Sequence, residues 1–260
     1  MFEQNGTVNR KRVVVTREAE QGMAFCRKLL AAGFEPVLFP VIQFVPRHSD
    51  ALDAALRHLD SFDWLVLTSG NAVRFFCQRA DELGVAVAGV QIAVSGAATA
   101  HKLQAFGLTA DFVPEKFVGE SLVTGLGDLR GKRVLLPRSR QGRPEIVAQL
   151  RAQGADVVEV GLYDTITAVP DATALAELQR GVDVITFASP SSVRNFWQII
   201  HKYGVENVLD RALVACIGPV TAEAAQAAGL TVHVMPATYT LDALIEALRE
   251  QMLTTNNQTG

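Results

Sequence analysis

The sequence has few of the residues that mark metal-binding, redox or disulfide-stabilised proteins. Only three cysteines and five histidines occur among its 260 residues. The cysteines are scattered and form no C-x-x-C pair, so we expect reduced thiols packed in the core of a cytoplasmic protein. The histidines show no spacing typical of metal ligands, so no metal site is expected.

A strong net charge and a long apolar run are also missing. The formal net charge of −3 creates no overall basic field, so nucleic acid is not an expected partner. No apolar run approaches the roughly 18–20 residues that a membrane helix needs, so no membrane partner is expected. The first twelve residues are polar and basic, and no apolar run follows them, so no signal peptide is predicted. The polar ends, residues 1–9 and 254–260, are predicted to be disordered.

The common catalytic signatures do not occur. No G-x-G-x-x-G follows a predicted strand, so a dinucleotide cofactor has no support. No G-x-S-x-G nucleophile elbow is present. The stretch G-D-L-R-G-K at 127–132 is one residue short of a P-loop and precedes a strand, so it is interpreted as a turn. The pattern favours a site that binds and shapes its ligand over one built on a nucleophile, a metal or a cofactor.

What the sequence does contain is an internal repeat. The stretch F-D-W-L-V-L-T-S-G-N-A-V-R-F-F at 62–76 returns as V-D-V-I-T-F-A-S-P-S-S-V-R-N-F-W at 182–197. Ser69 and Ser189 correspond, 120 residues apart, and further matches follow at offsets of 121 and 122. We interpret the repeat as a tandem duplication of about 120 residues.

Each copy alternates strands with helices, which predicts an α/β fold of two similar domains with parallel sheets covered by helices. Extended connectors at 41–46 and 162–170 interrupt the copies. If the copies exchange their first two strands, the middle of the chain forms one domain and its two ends form the other. The residue pattern allows either arrangement.

Ligands of open parallel sheets bind beyond the carboxyl ends of the strands. Small hydroxyl residues, glycines and arginines follow the predicted strands there in both copies. Helix N-termini combined with such side chains suit anions, so the expected ligand is rich in carboxylates or phosphates and held between two similar domains. The candidate binding residues are Arg17, Thr68, Ser69, Asn71, Ser95, Thr99, Lys116, Arg138, Ser139, Arg143, Ser189, Ser191, Gly218 and Thr221.

A purely structural role competes with binding at these positions. Serine and threonine at helix starts serve as N-caps, and the glycines allow tight turns. Arg74 and Arg194 lie inside predicted helices and are interpreted as solvated or structural. The clustering of polar residues at one end of the strands, twice over, favours binding.

Tyr163 is one of three tyrosines and lies in the second connector. It could pack between the domains. Alternatively, a phenol at a domain hinge could donate a proton inside a cleft, because a phenol ordinarily stays protonated at neutral pH. The residue pattern leaves both roles open.

The whole pattern, over about residues 12–248, resembles the uroporphyrinogen-III synthase family. Glu18 stands where the family often has proline, which weakens the case for Arg17 as a contact. The motifs that carry the resemblance are T-S-G-N-A-V (68–73), L-P-R-S-R-Q-G-R (136–143), V-G-L-Y-D-T (160–165), S-P-S-S-V (189–193) and I-G-P-V-T-A (217–222).

The resemblance implies the exchanged arrangement, with two flavodoxin-like, doubly wound domains joined by a two-stranded connector. Residues 10–40 and 171–253 would form domain 1, and residues 47–161 would form domain 2. Independently of the resemblance, the lack of obvious exposed apolar stripes in the sequence favours a monomer.

The resemblance further implies a cyclising hydro-lyase reaction without a cofactor. Linear hydroxymethylbilane would lose its terminal hydroxyl as water and close into uroporphyrinogen III with its last pyrrole ring inverted. Tyr163 falls where the family's conserved tyrosine does and would protonate the leaving hydroxyl. The substrate would be handed over by hydroxymethylbilane synthase, and the product would serve the synthesis of haem, sirohaem, cobalamin or chlorophyll-type tetrapyrroles.

Two other classes of protein remain as alternatives. A two-domain receptor could bind an anionic small molecule without catalysis. A flavodoxin-like regulatory protein would need an acidic cluster at the strand ends, where arginine and serine stand instead. In the catalytic interpretation, Ser69 is expected to anchor a carboxylate of the substrate, so its replacement should weaken binding and leave the chemistry intact.

Overall fold

A computed structural model describes residues 10–114, 119–142 and 144–256 of the chain. These residues form nine strands and ten α-helices in an α/β arrangement, which confirms the predicted fold class. The strands are β1 (Arg12–Val15), β2 (Glu35–Leu38), β3 (Ile42–Pro46), β4 (Trp64–Leu67), β5 (Gln91–Val94), β6 (Arg133–Ser139), β7 (Asp156–Thr167), β8 (Val184–Phe187) and β9 (Leu213–Cys216). The α-helices are α1 (Ala19–Ala31), α2 (Asp50–Arg57), α3 (Gly70–Glu82), α4 (Ala97–Gln104), α5 (Gly119–Gly125), α6 (Glu145–Ala152), α7 (Ala172–Gln179), α8 (Pro190–Tyr203), α9 (Pro219–Ala227) and α10 (Leu241–Asn256).

The chain divides into two compact units. The middle unit covers Phe44–Thr165, and the end unit comprises the described residues on either side of it. The first sheet has the order β2-β1-β8-β9, and the second has the order β3-β7-β6-β4-β5. Strands β1 and β2 therefore pair with strands from the far end of the chain, while β6 and β7 join β4 and β5.

Both sheets follow the flavodoxin-like strand order 2-1-3-4. In the first sheet, β1, β2, β8 and β9 occupy these places in chain order. In the second sheet, β6 and β7 occupy the places of the first two strands although they come after β4 and β5. A parallel bridge extends each sheet by one further position, at Val234 beside β9 and at Phe112 beside β5.

Apart from β3, which lies at the edge of the second sheet, the strands pair in parallel and are largely apolar, because helices cover both faces of each sheet. In the end unit, Val14 and Ile185 belong to one core cluster, while Val13, Val15 and Val184 belong to another. The same alternation divides the middle unit into two clusters, one on each face of its sheet. A strand that is buried on both faces has no polar alternation, which explains the short apolar runs in the sequence.

The repeat in sequence corresponds to a repeat in local geometry. Ser69 precedes α3 with φ/ψ of −162°/159°, and Ser189 precedes α8 with −163°/157°. Each serine hydroxyl accepts a hydrogen bond from the backbone N–H three residues later, as N-caps do. The tandem duplication itself stays a prediction.

Two strands are longer than the sequence pattern indicates. Strand β7 runs to Thr167, so most of the predicted extended connector at 162–170 is itself part of a strand. It continues because β7 has a neighbour on each side, β6 and β3, to pair its backbone. Similarly, Arg138 and Ser139 are the last two residues of β6 and do not follow it.

Two buried threonines link the central strands of the first sheet. The hydroxyl of Thr16 donates to the carbonyl of Thr186, and the hydroxyl of Thr186 donates to the carbonyl of Val14, both at 2.6 Å.

We expect Thr186→Val to lower the free energy of unfolding by about 1 kcal/mol, because a buried hydrogen bond is lost without a change of shape. Urea denaturation would measure the change. The exposed Thr173→Val is the control, with an expected change below about 0.5 kcal/mol; equal stability of Thr186→Val and the native chain would contradict the prediction.

Candidate functional site

The carboxyl ends of β6, β4 and β5 lie side by side in the middle unit, because these strands are neighbours in the sheet. This edge, the middle-unit rim, brings together candidates from three separate parts of the sequence. They are Thr68, Ser69, Asn71, Ser95, Thr99, Arg138 and Ser139.

Hydroxyl groups on the middle-unit rim bind mainly to one another and to the backbone. The Ser95 hydroxyl donates to the carbonyl of Thr68 at 2.9 Å and lies 3.1 Å from the Thr99 hydroxyl. Thr99 is buried, and its hydroxyl is paired with that of Ser95. These contacts tie the start of α4 to the end of β4.

Tyr163 lies in β7 and is 6% exposed. Its ring packs edge-on against Phe44 at 5.5 Å between ring centres and lies 5.0 Å from the ring of Phe75. Its hydroxyl lies 3.4 Å from the hydroxyl of Ser69. Either hydroxyl can donate in this contact, because the Ser69 oxygen that accepts the N–H of Ala72 at the start of α3 keeps a second lone pair.

Arg138 is bound within the middle unit. Arg138 is 7% exposed, and its Nη2 donates a hydrogen bond to the carbonyl of Gly142. Its Nε lies 2.9 Å from Oε1 of Glu159, which is close enough for an ion pair, although the two atoms are not aligned as a hydrogen bond. A Cβ atom on Gly142 would lie 2.8 Å from Nε of Arg138, so the glycine permits this packing. The buried side chain therefore serves the fold of the loop after β6. The Ser139 hydroxyl donates to Oε1 of Gln141 at 3.0 Å.

The carboxyl ends of β1, β8 and β9 form the corresponding end-unit rim. The hydroxyls of Ser189 and Ser191 lie 3.0 Å apart at the start of α8. Gly218 is the N-cap of α9, and Thr221 in the first turn of that helix is buried. The sequence interpretation missed Tyr239, an exposed residue whose ring packs over Gly218; a Cβ atom there would lie 3.1 Å from it.

Arg17, at the end of β1, differs from the other arginine of the repeat. It corresponds to Arg138 at the offset of 121 residues. Its Nη2 donates to Oε1 of Gln21 at 2.6 Å, but its Nε is buried without a hydrogen-bond partner among the described residues. Burial lowers the pKa of its guanidinium, and the neighbouring Glu18 partly opposes that shift. A desolvated guanidinium of this kind is stabilised by an anion that accepts its hydrogen bonds.

Several further residues bear on the site. Lys116 and Arg143 lie outside the described residues. Burial raises the pKa of the Cys77 and Cys216 thiols to about 11, so neither is a reactive thiolate at neutral pH.

Within the described ranges, no group of three or more histidine, cysteine, aspartate or glutamate side chains could hold a metal ion. Nor does any helix in those ranges have the length and apolar character needed to cross a membrane. The expected binding of one ligand between the two domains stays a prediction.

Comparison with known proteins gives the same family from two directions. The family model described as Uroporphyrinogen-III synthase HemD matches residues 24–246. A uroporphyrinogen-III synthase of Synechococcus elongatus is 36% identical over 92% of this chain and 95% of its own length. A putative uroporphyrinogen-III synthase of Methanothermobacter thermautotrophicus is 32% identical over 92% of this chain and 98% of its own length.

Solved structures support the fold. A mutant uroporphyrinogen III synthase of Thermus thermophilus is 22% identical, with a TM-score of 0.57 over 94% of this chain and 99% of its own. The Helicobacter pylori uroporphyrinogen-III synthetase is 18% identical, with a TM-score of 0.63 over 93% of this chain and 99% of its own. Together with the sequence matches, which confirm the resemblance carried by the motifs, these findings lead to one conclusion: the chain belongs to the uroporphyrinogen-III synthase family of porphyrin biosynthesis.

Proposed function

We propose that this chain is a hydro-lyase that cyclises linear hydroxymethylbilane to uroporphyrinogen III. The observation that carries the chemical part of the proposal is the environment of Tyr163, whose buried phenol meets the Ser69 hydroxyl at the start of α3. The reaction needs a proton for a leaving hydroxyl and a surface that holds a flexible polyanion. The chain offers the first through Tyr163 and the second through its two rims.

The steps balance as follows. Tyr163 donates its proton to the terminal hydroxyl of the substrate, and the C–O bond breaks with release of water. The pyrrole nitrogen supplies the electrons, which leaves an electron-poor azafulvene. The substituted carbon of the last ring attacks this azafulvene and forms a spiro intermediate. The bond between that carbon and the methylene group of the third ring then breaks, and the freed methylene carbon bonds to the α-carbon of the last ring that carried only hydrogen. This carbon loses its proton to the phenolate, which restores the aromatic pyrrole and leaves the ring inverted.

Ser69 supports the charged form of Tyr163 that appears in the first step. With its oxygen occupied by the Ala72 N–H, the Ser69 hydroxyl can donate to the phenolate oxygen. The start of α3 adds the positive end of the helix dipole. We therefore assign Ser69 a part in the chemistry, which replaces the expectation that it only anchors a carboxylate.

The rims hold the carboxylates of the substrate. The first N–H groups of α3, α4, α8 and α9 have no partners inside their helices and suit anions. Arg17 adds a guanidinium whose buried Nε has no hydrogen-bond partner in the part of the chain that the structure describes. We expect the remaining candidate residues to bind the substrate through their backbone N–H groups, because most of their side chains are buried or already hydrogen-bonded.

The activity is tested by incubating the chain with freshly generated hydroxymethylbilane, oxidising the products and resolving the isomers chromatographically. The expected product is the type III isomer. Formation of the type I isomer alone, as in buffer, would contradict the proposal. Recovery of unchanged ligand bound to the protein would favour a receptor without catalysis.

Removal of the phenol hydroxyl tests the role of Tyr163. We expect Tyr163→Phe to lower kcat by roughly 10²- to 10⁴-fold with little change in KM, because the ring still packs but no proton is donated. Steady-state kinetics measures both constants. Tyr203→Phe, the same change at the end of α8, should keep the native kcat. A Tyr163→Phe variant with native turnover would assign the residue to packing.

The Arg17 guanidinium is expected to contribute to binding rather than to the chemical step. Arg17→Gln should raise KM roughly 10- to 100-fold with kcat nearly unchanged, because a charge-assisted hydrogen bond contributes about 1.5–3 kcal/mol. Arg211→Gln removes the same charge from an exposed residue just before β9, at the amino end of the same sheet, and should leave KM unchanged. A lower kcat with native KM in Arg17→Gln would be the contrary result.

A further inference from the structure

A β-bulge turns Tyr163 toward Ser69. Strands β6 and β7 pair in regular steps up to Arg138 and Gly161, but the next pair is Ser139 with Tyr163. Leu162 is therefore an extra residue in β7. Successive residues of a regular strand point to opposite faces, yet Leu162 and Tyr163 belong to the same core cluster of the middle unit. Without the extra residue, Tyr163 would face away from Ser69.

Two arginines hold the backbone of the bulge from both sides. The N–H of Arg47, just after β3, donates to the carbonyl of Leu162 at 2.9 Å. The N–H of Arg140, just after β6, donates to the carbonyl of Tyr163 at 3.1 Å. Both carbonyls of the bulge therefore depend on residues that lie beyond the ends of regular strands.

The side chains of the same two arginines meet on the carboxylate of Asp164. Arg47 Nη1 donates to Oδ2 at 2.8 Å, and Arg140 Nε donates to Oδ1 at 3.0 Å. Gln141 donates to Oδ1 at 3.2 Å, and its own Oε1 accepts the N–H of Thr165 at 3.1 Å. Gln141 thus replaces the strand partner that β7 loses when β6 ends at Ser139.

We propose that Asp164 is a positioning residue for Tyr163, because it holds Arg47, Arg140 and Gln141 around the bulge that aims the phenol. Asp164 and these three residues are together named the Asp164 latch. The proposal rests on the proposed function in one respect, which is the assignment of Tyr163 as the proton donor. Asp164 itself acts through the backbone and not on the substrate.

The charge of Asp164 is maintained at neutral pH. The hydrogen bond from Arg47 holds the pKa of the Asp164 carboxyl below its usual value, and the charge of Arg140 adds to this effect. A carboxyl with a depressed native pKa contributes its stabilisation above its ordinary pKa and loses it as the pH falls through the native value. The latch is therefore complete at neutral pH and opens only in acid.

Asp164→Asn tests the latch, because the amide keeps the shape but removes the charge that both arginines share. We expect kcat to fall about 10- to 100-fold with KM changed less than about twofold, since a displaced proton donor slows the chemical step more than binding. Asp53→Asn is a matched control: Asp53 is bound by Arg79 in the same unit, and its side chain is 16% exposed, as is that of Asp164. The control should keep the native kcat.

Coupling to Tyr163 distinguishes positioning from a general structural effect. In a Tyr163→Phe background, Asp164→Asn should cause little further loss of kcat, because the group that it positions is already gone. An equal fold-loss in both backgrounds would overturn the proposal. Gln141→Ala, a change at an exposed residue, provides a second route if Asp164→Asn folds poorly; it should lower kcat by a smaller factor and show the same coupling.

Hydrogen exchange tests the latch without any assay of activity. In Asp164→Asn, the amides of Arg140 and Thr165 should exchange faster than in the native chain and in Asp53→Asn. Unchanged exchange at both amides would overturn the inference. Faster exchange together with native turnover in Tyr163→Phe would retain the latch and reject Tyr163 as the proton donor, so the two failures are distinguishable.

Discussion

The pairing of β6 with β7 changes register by one residue at Leu162, and the geometry around Tyr163 depends on that change. A β-bulge is a local defect in hydrogen bonding that persists only where other contacts replace the lost ones. Here the replacements come from Arg47, Arg140 and Gln141, which reach the bulge from two neighbouring segments. The single carboxylate of Asp164 connects them, so the direction of one phenol depends on charges placed on the other side of the strand.

The equivalent arginines of the two copies illustrate how similar sequences acquire different roles. Arg138 lies in a β6 that extends beyond the expected strand end, and Glu159 and Gly142 surround its guanidinium. Arg17 follows a shorter strand, and Gln21 is its hydrogen-bond partner. The first guanidinium stabilises a loop, whereas the second retains donor capacity for an anion. Symmetry of sequence therefore does not imply symmetry of binding.

The serines at the helix starts combine two roles that are usually treated as alternatives. An N-cap occupies the serine oxygen as an acceptor and leaves its proton free to be donated. At Ser189 the hydroxyl contacts that of Ser191, within the same helix start. At Ser69 the hydroxyl contacts that of Tyr163, 94 residues away in sequence, and can donate to it once the phenol has lost its proton. Capping and support of a reacting group are compatible because they use different parts of one hydroxyl.

The sequence alone determined the fold class, the repeat, the family and the residues that gather at the strand ends. Those features depend on local rules: apolar strands buried on both faces, hydroxyl caps and a fixed order of motifs. It also identified Tyr163, through the motif V-G-L-Y-D-T.

Only the tertiary structure decided which way Tyr163 points and that the guanidinium of Arg138 is paired with Glu159. It also decided that Arg47, Arg140 and Gln141 are bonded to one carboxylate, that of Asp164. A bulge arises from the pairing of two strands, and a period-two pattern read along one strand does not show it. Likewise, the number of hydrogen-bond donors that an arginine keeps for a ligand depends on the partners that the fold brings to it from elsewhere in the chain.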